Sequence, residues 1–342
     1  MSVMTDINEN LATMNLIEST KIIFINRYGK QPSLFFAPGR INLIGEHTDY
    51  NDGFAMPSAI DMGFVFAVAP NGTKQFNLYA SDLDSDISFT ASTLKAGPHW
   101  HNYLMGVIHG LRARGLDEGF DCAFGGNIPS GAGLSSSAAL CSGFAFALNE
   151  VFNLKLTRID LARIAQQAEH NFAGLMCGIM DQYASLFGKE DSVMLLDCRS
   201  LTHEYLPFQS PDVEILLIDS KVKHELASSA YNDRRAACEE GVRIIQQQYS
   251  NVLSLRDVSP TMLHESKIEL GENVFTKCLF IVEEIERTQR AAQCLSRKNF
   301  IDFGNLMFEA HRGLSESYEV SCKELDVLVG LASANPQLVI GA

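Results

Sequence analysis

The chain has few of the features that mark membrane, secreted or nucleic-acid-binding proteins. Its longest apolar runs, such as residues 64–69, are far shorter than the roughly 18 residues that a membrane span requires. Residues 1–15 carry no basic flank before an apolar core, so they give no secretory signal. No internal repeat, low-complexity tract or Cys-x-x-Cys pair is present. We therefore expect a cytoplasmic protein with no membrane partner.

Positive charge is scarce as well. The 27 lysines and arginines face 41 acidic residues, which gives a formal net charge of −14. A surface this acidic repels nucleic acid, so we expect no nucleic-acid partner, and any phosphate-bearing ligand needs a local binding device. The eight cysteines are widely spaced, which is typical of reduced thiols rather than of a disulfide framework.

The remaining composition is that of a globular protein. Hydrophobic residues make up 46% and charged residues 20% of the 342 positions, enough for one large domain or two ordinary ones. Strands mixed with helices, without a regular βαβ alternation, favour an α+β fold, and we place its domains at residues 1–205 and 206–342. The hydrophobic periodicity predicts helices at 7–28, 101–114, 135–149, 161–172, 226–248, 273–296, 299–317 and 322–333, and strands at 33–37, 63–69, 75–80, 120–124, 193–196 and 215–218.

Residues 38–54 concentrate polar side chains within a partly apolar segment. Buried polar groups must be satisfied internally or by a ligand. Two carboxylates and an imidazole, from Glu46, His47 and Asp49, suit the hydroxyls of a neutral sugar, and Arg40 adds a fixed cation. A solvated turn held by an Arg–Asp pair explains the segment equally well. A metal site is less favoured, because no further His or Cys pair stands at metal spacing.

Residues 127–137 follow a predicted strand and open a predicted helix. Gly131 and Gly133 let the backbone turn tightly, and the N-terminus of a helix favours anions. Three consecutive serines add hydroxyls for phosphate oxygens or Mg²⁺. The segment is neither a Walker A loop nor a complete dinucleotide fingerprint. A helix capped by serine remains an equal alternative.

A third segment, residues 169–183, places Asp181 beside apolar neighbours. An Asp in such surroundings is either a helix cap or a functional carboxylate removed from solvent. Glu169, near the end of a predicted helix, is either a metal ligand or an ordinary exposed residue. For each residue taken alone, the ordinary alternative is favoured, a helix cap for Asp181 and an exposed helical side chain for Glu169.

Together these segments resemble a known enzyme family. Residues 39–51 resemble the galactokinase signature, and residues 129–138 are similar to the phosphate loop of the GHMP kinase superfamily. Residues 177–182 resemble the segment that carries the catalytic Asp of galactokinases. Residues 222–235 align Tyr231 with the Tyr that contacts the sugar in that family.

The resemblance implies an α+β GHMP kinase fold of two lobes, an N-terminal one like domain 2 of ribosomal protein S5 and a ferredoxin-like C-terminal one. It implies phosphorylation of α-D-galactose by ATP at the anomeric hydroxyl, the entry to galactose catabolism, with Mg²⁺ as cofactor. Galactose and ATP are the expected partners, and by analogy we expect a monomer.

The resemblance also assigns residues to roles. It implies catalysis by Asp181 and Arg40 and a metal site at Ser137 and Glu169. For galactose it implies Glu46, His47, Thr48, Asp49, Gly178 and Tyr231. For ATP it implies Ser81, Trp100, Gly131, Ala132, Gly133, Leu134, Ser135, Ser136 and Ser137.

One departure from the family and two alternatives stay open. Family members continue past the equivalent of Ala342 with a Gly-rich third motif and further strands. We therefore expect this chain to be less stable, to expose an apolar edge and to be weakly active or inactive while still binding sugar. The alternatives are a kinase for a related sugar, such as N-acetylgalactosamine or arabinose, and a sensor that binds sugar and nucleotide without turnover.

Overall fold

The computed structural model describes residues 11–95, 97, 99–129, 131–222 and 227–342. These residues form two compact units. Residues up to Ile41 join Ala59–Glu190 in the first unit, and Asn42–Ser58 join Asp191–Ala342 in the second. The units are not contiguous in sequence, so a single boundary, such as the predicted one after residue 205, describes them only in part.

The helices and strands mix in the manner of an α+β protein. The strands are β1 (Ser33–Asn42), β2 (Phe54–Ala55), β3 (Pro57–Pro70), β4 (Gln75–Ala80), β5 (Ser85–Thr90), β6 (Phe120–Gly126), β7 (Ser192–Asp197) and β8 (Thr202–Pro207). The helices are α1 (Leu11–Tyr28), α2 (Asn102–Arg112), α3 (Ser136–Val151), α4 (Arg158–Ala168), α5 (Met180–Phe187), α6 (Ala227–Ile245), α7 (Pro260–Glu265), α8 (Lys267–Ser296), α9 (Phe300–Glu316) and α10 (Lys323–Ser333).

The sheet of the first unit has the order β1-β3-β6-β4-β5. Strand β6 pairs antiparallel with β3 and parallel with β4. Because β6 lies between β3 and β4, these two strands do not pair with each other although they are consecutive in sequence. Nearly every residue of β6 is buried, and Phe120 contacts the rings of both Phe76 and Phe144. This central strand ends at Gly126, directly before the glycine-rich segment of residues 127–137.

Local signals explain where several helices begin. Thr157 and Asp160 form a capping box at the start of α4, each side chain bonding the other's backbone N–H. Ser259 caps α7, and Pro260 occupies its first turn, where a missing N–H costs nothing. Helix α7 is only six residues long, too short to give a periodic signal, and the sequence prediction misses it.

The second unit contains the antiparallel sheet β2-β7-β8 and the helices from α6 onward. One apolar cluster contains Ile44, Met56, Val193, Leu206 and Phe303, and another lies around Phe280 and Tyr318. Ile44 and Met56 come from the inserted residues 42–58. Packing against the C-terminal part of the chain therefore fixes this segment in the second unit.

Two predicted elements differ from the structure. Strand β1 continues to Asn42, past the predicted end at residue 37, so Arg40 lies on a strand. Residues 215–218 are not a strand; no strand pairs with them in the described part of the chain, and Leu216 is 80% exposed. The first part of helix 7–28, residues 7–10, and residue 226 lie outside the described residues. Across the described ranges, no helix is long and apolar enough to cross a membrane.

Candidate active site

Arg40 and Asp181 form a two-pronged ion pair within the first unit. The Nε of Arg40 donates to Oδ1 of Asp181 at 2.7 Å, and its Nη2 donates to Oδ2 at 3.0 Å. Its remaining nitrogen, Nη1, donates to the carbonyl of Gly133 at 2.8 Å. The Arg40 side chain is 13% exposed and that of Asp181 is 27% exposed. The guanidinium is thus held on three sides, whereas the carboxylate keeps a face open to a ligand.

A close approach of two backbones positions this pair. The N–H of Arg40 donates to the carbonyl of Leu134 at 3.2 Å. A Cβ on Gly39 would stand 2.7 Å from that same carbonyl oxygen, so only glycine fits here. Strand β1 therefore touches the glycine-rich segment directly, and this contact carries Arg40 to the start of α3.

The glycine-rich segment turns through left-handed backbone. Gly131, Gly133 and Ser135 have φ of +76°, +74° and +57°, and α3 begins at Ser136. Ser135 occupies the N-cap position but makes no side-chain cap bond; its hydroxyl donates to Oδ2 of Asp181 at 2.6 Å. A non-glycine residue in this conformation is unusual and is found where other contacts demand it. Ser135 therefore does not cap the helix with its side chain, as the alternative in the sequence analysis requires.

Asp181 is not a helix cap either. It lies in the first turn of α5, whose N-cap residue is Ile179. Both of its carboxylate oxygens accept bonds from Arg40, and Oδ2 also accepts the bond from Ser135. Of the two alternatives left open by the sequence, the functional carboxylate agrees better with these contacts.

Glu169 is buried rather than exposed. Its side chain lies at the end of α4, at the start of a π-helical turn over Glu169–Ala173, and is 1% exposed. Ser137 Oγ donates to its Oε2 at 2.8 Å, and Gln182 Nε2 donates to its Oε1 at 2.7 Å. Burial raises the pKa of Glu169 to about 7, the charge of Asp181 adds to the rise, and the two donors oppose it.

The chemistry of Ser137 and Glu169 fits Mg²⁺. This ion prefers oxygen ligands and is commonly held by one or two carboxylates together with substrate phosphates. The hydroxyl and the carboxylate already meet at 2.8 Å, and the buried carboxylate is bonded by neutral donors. The described residues contain no cluster of three or more His, Cys, Asp or Glu for a metal. Phosphate oxygens would therefore complete the set.

The predicted sugar residues of the second unit follow Gly45. Asn42 Nδ2 donates to Oε1 of Glu46 at 2.9 Å, and Asp49 Oδ1 accepts from the backbone N–H of the next residue at 3.0 Å. Thr48 is fully buried, and its hydroxyl lies 2.9 Å from the Gly45 carbonyl and 2.6 Å from the Phe54 carbonyl. Thr48 thus holds the segment in shape, and a direct sugar contact by its side chain stays a prediction.

A buried carboxylate and a partly buried guanidinium anchor this segment. The N–H of Gly45 donates to Oε1 of Glu284 at 3.0 Å, and Glu284 pairs with Arg287. Burial raises the pKa of Glu284, and the Arg287 charge opposes that rise. At the other end, Arg256 Nη1 donates to the carbonyl of Asp52 at 3.0 Å. The backbone on both sides of residues 46–49 is therefore fixed.

His47 is enclosed by aromatic rings. Its Nδ1 lies 2.9 Å from the hydroxyl of Tyr50, and its ring centroid is 5.2 Å from that of Tyr231. Burial lowers the pKa of His47 to about 4, helped by the charge of Arg234, so the imidazole is neutral near pH 7. The structure thus brings His47 and Tyr231 together. Gly178 belongs to the first unit, and its place among the sugar contacts stays a prediction.

Two of the predicted ATP residues, Ser81 and Trp100, both contact Phe124 near the end of β6. Ser81 Oγ donates to the Phe124 carbonyl at 3.0 Å, and the Trp100 ring lies 5.7 Å from the Phe124 ring. Trp100 also donates through Nε1 to Ser85 Oγ at 3.3 Å. Both residues therefore contact β6, the strand that leads into the glycine-rich segment, and their contact with a nucleotide stays a prediction.

Comparison with known proteins decides the family. Residues 23–70 match the family model described as "Galactokinase galactose-binding signature", and residues 102–189 match "GHMP kinases N terminal domain". The galactokinase of Roseiflexus sp. (strain RS-1) is 40% identical over 314 residues, 91% of this chain and 80% of that relative. This chain belongs to the galactokinase family.

Further relatives agree in sequence and fold. The galactokinase of Clostridium perfringens (strain 13 / Type A) is 38% identical over 338 residues, 96% of this chain and 86% of its own. The crystal structure of Lactococcus lactis galactokinase complexed with galactose gives a TM-score of 0.87 at 33% identity, covering 93% of this chain and 84% of that one. Methanococcus jannaschii mevalonate kinase, at 18% identity and a TM-score of 0.57, shares the fold. The predicted GHMP kinase fold is confirmed.

Sequence reasoning missed one residue beside Glu169 in the first unit and two residues that support His47 in the second. The resemblance of residues 177–182 assigns Gln182 no role, yet its side chain links Glu169 to the start of α5. Its polar side chain beside Asp181 was the available signal. Tyr50 and Tyr318 support His47 through their hydroxyls. For Tyr318 no local signal exists, because its partner Tyr50 lies 268 positions away.

Proposed function

We propose that Asp181 and Arg40 carry out the galactokinase reaction in this chain. The reaction transfers the γ-phosphoryl group of ATP to the anomeric hydroxyl of α-D-galactose and yields galactose 1-phosphate and ADP. The observation that supports these roles is the two-pronged Arg40–Asp181 contact beside Gly133 and Ser135. This contact places the carboxylate beside the glycine-rich segment. The glycines of that segment, and the N-terminus of the helix that follows, favour phosphate binding.

Asp181 orients the attacking hydroxyl. Phosphoryl transfer depends mainly on in-line positioning and on neutralising the phosphoryl oxygens. Arg40 and Ser135 fix both oxygens of Asp181. The carboxylate can therefore accept a hydrogen bond from the sugar hydroxyl on one side only. Because three donors already occupy the carboxylate, we infer that it takes up the proton late, after the bond to ADP has largely broken.

The segment from Gly131 to Ser137 holds the phosphates. Left-handed residues such as Gly131, Gly133 and Ser135 allow backbone N–H groups to surround an anion, and the positive end of the α3 dipole adds to them. Arg40 neutralises charge on the transferring group. Ser137 and Glu169 would hold Mg²⁺, which when bound supplies positive charge to the phosphate oxygens. The side chains of Ser81 and Trp100 would contact the nucleoside end of ATP.

Glu46, His47, Asp49, Gly178 and Tyr231 would contact galactose. The Lactococcus lactis galactokinase structure is a complex with galactose, and we extend this ligand to the present chain. Hydroxyl recognition by carboxylates and a neutral imidazole suits an uncharged sugar. We place the reaction in the cytoplasm, where free thiols such as the eight found here persist, and expect a monomer.

A substrate panel tests the function. Wild-type protein with Mg-ATP is given galactose, N-acetylgalactosamine or arabinose, and ADP release is followed while calorimetry measures sugar binding. We expect galactose to give the highest kcat/KM. A higher kcat/KM for N-acetylgalactosamine or arabinose would show that this sugar, and not galactose, is the substrate. Sugar binding without ADP release would favour the sensor. The glycine-rich segment and the Arg40–Asp181 pair favour turnover over sensing.

A further inference from the structure

A chain of hydrogen-bonded side chains runs from His47 into the core of the second unit. The Nδ1 of His47 lies 2.9 Å from Tyr50 Oη, which lies 2.7 Å from Tyr318 Oη. Tyr318 Oη in turn lies 3.3 Å from the Sγ of Cys238. Tyr318 and Cys238 are 0% and 1% exposed. Three side chains that the family resemblance does not assign thus support one predicted sugar contact.

Ring packing restricts the same imidazole. The His47 ring centroid is 4.9 Å from that of Tyr318, 5.8 Å from that of Tyr50 and 5.2 Å from that of Tyr231. His47 also has a left-handed φ of +63°, and its carbonyl accepts a bond from Asn51 Nδ2 at 3.0 Å. Both the backbone and the ring of His47 are therefore held before any ligand arrives.

The direction of the chain follows from the chemistry of its members. Burial raises the pKa of both Tyr50 and Tyr318 far above the usual range and that of Cys238 to about 11, so all three keep their protons. His47 is neutral near pH 7 because burial lowers its pKa to about 4. A phenol hydroxyl is a better donor than a neutral imidazole N–H, and sulfur is a weak acceptor. Tyr318 therefore donates to Tyr50, and Tyr50 donates to Nδ1.

We propose that Tyr50 and Tyr318 are positioning residues that hold His47 in one ring orientation and one tautomer, with Nδ1 as acceptor and Nε2–H as the donor to an oxygen of the sugar. This rests on the proposed galactose contact of His47. The second nitrogen of a histidine is set by the bond that the first one makes. These hydrogen bonds then select sugars that present an acceptor oxygen to Nε2–H of His47. No proton moves along the hydrogen bonds during the reaction.

Replacing each Tyr by Phe removes the hydroxyl and keeps the ring. For Tyr50→Phe and Tyr318→Phe we expect KM for galactose to rise about 3- to 10-fold, as for the loss of one oriented hydrogen bond. We expect kcat to stay within about twofold and KM for ATP to be unchanged. The matched control is Tyr249→Phe, whose hydroxyl donates to Glu265 on an exposed part of the second unit. That control keeps wild-type values of all three constants.

Nitrogen-15 NMR of the wild-type imidazoles reports the tautomer without any substitution. We expect His47 to give the spectrum of a neutral ring protonated at Nε2, and we expect each Phe variant to shift toward a mixture of tautomers. A wild-type spectrum of a ring protonated at Nδ1 would overturn the proposal, even where a variant fails to fold. A lower melting temperature with unchanged KM and unchanged tautomer would show a purely structural role and would overturn it too.

His47→Ala separates this proposal from the proposed function. A wild-type KM for galactose in His47→Ala would remove His47 from the sugar site, and both proposals about this residue would fail. A raised KM in His47→Ala beside wild-type KM values in Tyr50→Phe and Tyr318→Phe would keep the sugar contact and overturn the hydroxyl chain alone. Raised KM in all three variants supports both.

Discussion

The guanidinium of Arg40 meets the carboxylate of Asp181 edge to edge, with Nε at 2.7 Å from Oδ1 and Nη2 at 3.0 Å from Oδ2. The two residues lie 141 positions apart, one on a strand and one in the first turn of a helix. Only a planar fork of donors can make this contact. It turns two sequence motifs into a single site in the first unit.

Arg40→Lys should therefore impair turnover. A lysine ammonium cannot contact both carboxylate oxygens and the Gly133 carbonyl in the same geometry. We expect kcat to fall about 100-fold or more, measured by galactose-dependent ADP release. Arg27→Lys, in an exposed pair with Asp86, is the matched control and should leave kcat unchanged. Equal kcat in the Arg40 variant and the control would contradict the role of Arg40.

Ser135→Ala should have a smaller effect in the same direction. The substitution removes one of the donors to Asp181 and leaves the two from Arg40 in place. We expect kcat to fall about 10-fold, with little change in the denaturant midpoint of unfolding. Ser88→Ala, which removes an exposed hydroxyl bonded to Asn77, provides the comparison. A kcat within twofold of wild type would show that Ser135 does not orient the carboxylate.

His47 should make stability depend on mildly acidic pH. Its folded pKa of about 4 lies below the ordinary 6.5, so the unfolded chain binds the proton first as pH falls. The free energy of unfolding should therefore decrease between pH 6.5 and about 4 and be independent of this residue above pH 6.5. Urea unfolding of wild type and His47→Gln across this range measures the effect. A pH profile with the same slope in both proteins would contradict it.

Residues 215–218 should make the monomer prone to aggregate. These four consecutive apolar residues are exposed, with Leu216 at 80% and Ile218 at 59%. Exposed apolar patches bind each other and bind apolar dyes. We expect the double substitution Leu216→Lys with Ile218→Lys to lower dye fluorescence and the fraction of aggregate in light scattering, without lowering the melting temperature. Substituting Leu216→Val with Ile218→Val serves as control, and equal scattering in both would contradict the expectation.

The sequence predicted most elements and the family because the signals for both are local. The glycines of residues 131–133, the serines that follow and the hydrophobic periodicity of the helices all lie within short windows. The α+β class and the galactokinase family were confirmed. The predicted helix at 161–172 agrees with α4 and the π-helical turn that follows it. Glu169, where that turn begins, is buried.

What the sequence did not predict depends on contacts between distant residues. The periodicity predicts a strand over 33–37 only, yet β1 continues to Asn42, and within the extension the N–H of Arg40 bonds the Leu134 carbonyl. Residues 215–218 have strand propensity but no pairing partner among the described residues, so propensity alone did not decide. The role of Tyr318 is set by Tyr50, far away in the chain.

The most direct test of the central claim is the turnover of Asp181→Asn measured beside its calorimetric affinity for galactose. We expect kcat to fall about 100- to 10,000-fold while the Kd for galactose stays within about threefold, because the amide cannot accept the proton. Asp86→Asn, an exposed aspartate of the same unit, should match wild type in both quantities. Near-normal kcat in Asp181→Asn would contradict the assignment of Asp181 as the residue that activates the sugar hydroxyl.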